Sequence, residues 1–85
     1  MNEGKAREDL DRAGRAEALM RDPLIIEAFE TLEKEFVSAW KESAITDQTS
    51  REHIYHLLQA LEAMKGHFQT VLESGKLAKD RLKIL

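Results

Sequence analysis

The chain has 85 residues, 42% of them hydrophobic and 34% charged, with a formal net charge of −3, one Pro, four Gly and no Cys. A chain this short forms one small domain at most, and without Cys it has neither a disulfide framework nor a thiolate metal site. Abundant Glu, Lys, Ala and Leu with few β-branched residues favours helix over strand or disorder, and no run approaches the ~18 apolar residues of a membrane span.

The first predicted helix covers residues 3–21. Ala6, Leu10, Ala13, Ala16 and Met20 fall at helical spacing, but the stripe is thin, mostly Ala, and contains Gly14. A face of this kind allows close approach and buries little area, so the helix is expected to depend on docking. The segment Met1–Arg12 is charged and lacks an apolar centre, which argues against a secretory leader.

Asp22-Pro23 is the clearest punctuation. Proline disfavours α geometry in the residue before it and suits the first position of a new helix, and Asp22 can cap that helix. The second predicted helix runs over 23–43 with a seam of Ile25, Phe29, Leu32, Phe36 and Ala39. Leu24, Ile26, Ala28, Val37 and Trp40 widen the stripe enough for more than one neighbour. The aromatics Phe29, Phe36 and Trp40 read as packing anchors, with the Trp40 indole near a wet helix end.

After a connection at 44–48, Thr49 and Glu52 have capping-box spacing, with Asp47 as a rival cap. The third predicted helix spans 50–85. Its seam is Ile54, Leu57, Leu61, Met64, Phe68 and Val71, continuing past Gly75 through Ala78, Leu82 and Leu85. A heptad seam of this length exists to face other helices. Gly75 is a possible break, but the register survives it, which favours one continuous helix. Gly66, beside the seam, would permit another close approach. At 1.5 Å per residue the second and third helices span roughly 31 and 54 Å, so roughly the last 15 residues of the third have no partner in the second. Either the first helix or another copy of the chain must cover them.

The expected architecture is therefore all-α: one domain over 1–85, in which a short N-terminal helix precedes a long antiparallel helical hairpin with coiled-coil-like packing. Homo-oligomerisation is expected, with Ile25, Phe29, Leu32, Phe36, Trp40, Leu61, Met64, Phe68 and Leu82 at the interface.

Little in the sequence points to chemistry. His53 and His56 could approach one metal, but a third ligand would have to come from Glu52 or another chain, and His67 lies roughly 21 Å from His53 along the axis. H-E-x-x-H and Glu-x-x-His patterns are absent, as are a nucleophile motif and a phosphate loop, so neither an enzyme, a metal site nor a cofactor is expected. Arg51, Tyr55 and His56 form a candidate anion site at the start of the third helix. Residues 23–50 carry two basic and six acidic side chains, and residues 51–85 six basic and four acidic. This asymmetry suits contacts between packed helices. Lys76, Lys79, Arg81 and Lys83 are the candidates for weak nucleic-acid binding, against which the acidic overall balance argues.

The runs Arg15-Ala16-Glu17-Ala18-Leu19, Asp22-Pro23-Leu24, Glu27-Ala28-Phe29, Leu32-Glu33 and Ala39-Trp40 resemble small α-helical proteins of tailed bacteriophages and prophages, usually without an assigned function. So do Arg51-Glu52-His53, Gly66-His67-Phe68 and Gly75-Lys76-Leu77-Ala78. The resemblance covers residues 15–78. It implies a phage setting, in the host cytoplasm or in the virion, and an accessory or structural role with a phage or host protein as further partner. An inhibitor of host defence that sequesters an anion or blocks a host protein is the alternative. No catalytic residue comes with it.

Overall fold

A computed structural model describes residues 3–84, without the side chain of Ile84. It is all-α, with α1 at Glu3–Arg21, α2 at Pro23–Glu42 and α3 at Gln48–Ile84. The Cα positions extend 60 × 26 × 14 Å with a radius of gyration of 18.0 Å. A compact chain of this length would have about 12 Å. The molecule is an elongated body organised along α3, whose 37 residues reach about 55 Å at 1.5 Å each.

The break between α1 and α2 has the expected chemistry. Asp22 sits in extended geometry, its Oδ1 accepts from the Leu24 amide at 2.8 Å, and Pro23 occupies the first helical position. The helix ends depart slightly from expectation. Glu42 is the last residue of α2, with Ser43 as its C-cap. Asp47, not Thr49, caps α3: its Oδ1 accepts from the Ser50 amide at 3.2 Å, and the helix starts at Gln48. Thr49 already lies in the first helical turn, where its hydroxyl cannot act as a cap. Leu85 lies outside the described residues.

The Ser50 hydroxyl and amide hold the Asp47 carboxyl below its ordinary value of 3.8. A carboxyl depressed in the folded state contributes stability that is complete above its unfolded value and lost as the pH falls through the folded one. Fraying of the first turn of α3 is therefore expected below about pH 4. Asp47→Ala should fray the same turn at neutral pH and remove that acid dependence, as read by amide exchange at Arg51 and Glu52.

Helix α3 is continuous through Gly75, and α1 covers its C-terminal half. The contact is close because its residues are small. Ala6, Ala16 and Ala78 are buried, and a Cβ built on Gly75 would collide with the Ala13 Cβ and come within 3.3 Å of the Asp9 carbonyl oxygen. Asp9 is 5% exposed and keeps its charge matched through Lys5 Nζ at 2.9 Å. Gly66, expected at a close approach, has nothing within 4 Å of the position a Cβ would take; neither has Gly14.

Helix α2 contacts the N-terminal part of α3 less extensively. Arg51 meets Trp40 and Lys65 meets Glu33, so contacts climb α3 as they descend α2 and the two helices run in opposite directions. Ile25, Phe29, Phe36 and Val37 are half-buried, and no residue of α2 is fully buried.

Candidate functional site

The expected interface residues divide into two sets. Leu61 is buried at 6% exposure, and Ile25, Phe29, Phe36, Phe68 and Leu82 are half-buried. Leu32, Trp40 and Met64 remain on the surface at 39%, 42% and 55%. Met64 lies three residues beyond Leu61, a step that places it about 60° round the helix from that buried side chain and on the outer edge of the seam. Leu24, at 71%, and Leu77, at 63%, are exposed as well.

The candidate anion site takes a different form. The Arg51 guanidinium donates to Ser43 Oγ at 2.9 Å and lies 4.1 Å from the centre of the Trp40 ring. Ser43 Oγ in turn donates to the Trp40 carbonyl oxygen at 2.5 Å, so one cation ties the C-terminus of α2 to the first turn of α3. Tyr55 and His56 are exposed, and their rings meet at a tilt of 54° with centres 6.1 Å apart. A planar guanidinium lies against the ring while donating to the hydroxyl, which a compact, strongly hydrated ammonium does less well. Arg51→Lys is thus expected to cost about 1 kcal/mol of stability and Arg51→Ala slightly more, measured by urea unfolding.

A second cross-helix contact was not apparent in the sequence. Lys65 Nζ lies 3.1 Å from Glu33 Oε2 and 3.8 Å from Glu62 Oε2. The bond to Glu33 raises the pKa of Lys65 above 10.5. Residues 32 positions apart give no periodic signal, so only the folded arrangement reveals this pair.

Two shallow grooves follow. One is lined by Ala60, Ala63, Met64, His67 and Phe68 of α3. The other shares His67 and Phe68 and adds Val71, with Arg12, Arg15 and Leu19 from α1. Together they form a trough with an apolar floor and two guanidinium groups at one end. Arg12 and Arg15 were not singled out from the sequence; their spacing of three, flanking Ala16 and Leu19, was the available signal. A larger hollow along α2, lined by Glu30, Glu33, Lys34 and Lys41, has mixed charge on a single helix and no converging set of groups.

Among the described residues, no three His, Cys, Asp or Glu side chains lie close enough to hold a metal ion, and no helix is long and apolar enough to cross a membrane. Comparison of the chain with protein-family models, curated proteins and solved structures finds no match.

Proposed function

We propose that this chain is a non-enzymatic assembly module of phage type, acting as an accessory or structural protein through helix faces. In this reading α2 and α3 form a long antiparallel hairpin with coiled-coil-like packing, stiffened by α1. Its exposed apolar edges associate with further copies and with a phage or host protein. The observation that carries the reading is the whole of α2: a helix with a wide apolar stripe and no buried residue. Leu24, Leu32 and Trp40 remain on its surface while the polar groups nearby are engaged in capping and turn contacts. Small monomeric proteins seldom leave contiguous apolar surface uncovered, and a chain too short to enclose a large core gains most by sharing one.

Light scattering at micromolar concentration is the direct test. A mass of two or more times the 9.7 kDa chain is expected. A monomer would remove the basis of the proposal.

A further inference from the structure

We draw no further inference here: the strongest candidate, the trough along α3 with Ala60, Met64 and Phe68 on its floor and Arg12 and Arg15 at its end, is an unpartnered apolar face, and nothing in the structure shows what covers it.

Discussion

Gly75→Ala is expected to destabilise the protein by about 2 kcal/mol, whereas the same change at Gly14 or Gly66 is expected to stabilise it by about 1 kcal/mol. All three glycines lie inside helices, and at each the alanine gains about 1 kcal/mol of helix propensity. What differs is the space. Nothing lies within 4 Å of a Cβ at Gly14 or Gly66, while at Gly75 the new methyl meets the Ala13 Cβ and approaches the Asp9 carbonyl oxygen. Neither obstacle is the movable tip of a long side chain. Relief requires α1 to shift bodily off α3, and overpacking against rigid atoms lies toward the upper part of the usual range of about 1–3 kcal/mol. For a chain of this size the net loss lowers the melting temperature by roughly 8–16 °C. Ala13→Gly in the Gly75→Ala background removes the colliding methyl, so the double variant should recover part of the loss. A Gly75→Ala protein as stable as Gly66→Ala would mean that α1 does not dock here.

The glycine contrast also marks how far the sequence could be read. Periodicity located the three helices because apolar spacing is a property of each segment alone. The Asp22-Pro23 break was equally legible, since both the cap and the proline act on adjacent backbone. Choosing between Thr49 and Asp47 was harder: both residues have a suitable oxygen, and the path of the 43–47 connection decides which one faces the first orphan amides. The mismatch in helix length offered α1 as one of two covers for the C-terminal part of α3, but the choice between α1 and another copy could not be read. The α1–α3 seam of Ala6, Ala13, Ala16, Gly75 and Ala78 is nearly silent in hydrophobicity, and its strength comes from fit between small residues instead of from area. The same holds for the surface features. Trp40 announced an aromatic anchor, but its role as a platform for Arg51 depends on a turn that joins residues eleven apart. Arg12 and Arg15 became neighbours of His67 only through the docking of α1.

Leu61→Ala should cost about 3 kcal/mol at every protein concentration, whereas Met64→Ala should act through association alone. Leu61, at 6% exposure, is the one large apolar side chain among the described residues that is buried. Truncating a buried leucine usually costs about 2–5 kcal/mol through lost transfer energy and the cavity left behind. In a thin body with so few fully buried side chains the site can relax partly, which keeps the expected loss in the lower half of that range. It is still a large share of the roughly 4–13 kcal/mol available to a domain of this length. Met64 is 55% exposed, so its truncation in an isolated copy should change stability by no more than about 0.5 kcal/mol. If the proposed association of copies covers this side chain, its loss lowers the unfolding midpoint by an amount that changes with protein concentration. Urea unfolding at two concentrations about tenfold apart separates the residues. A parallel displacement for Leu61→Ala and a concentration-dependent one for Met64→Ala would place folding on one side of the seam and assembly on the other. If Met64→Ala proved silent at both concentrations, the trough would not be an assembly surface.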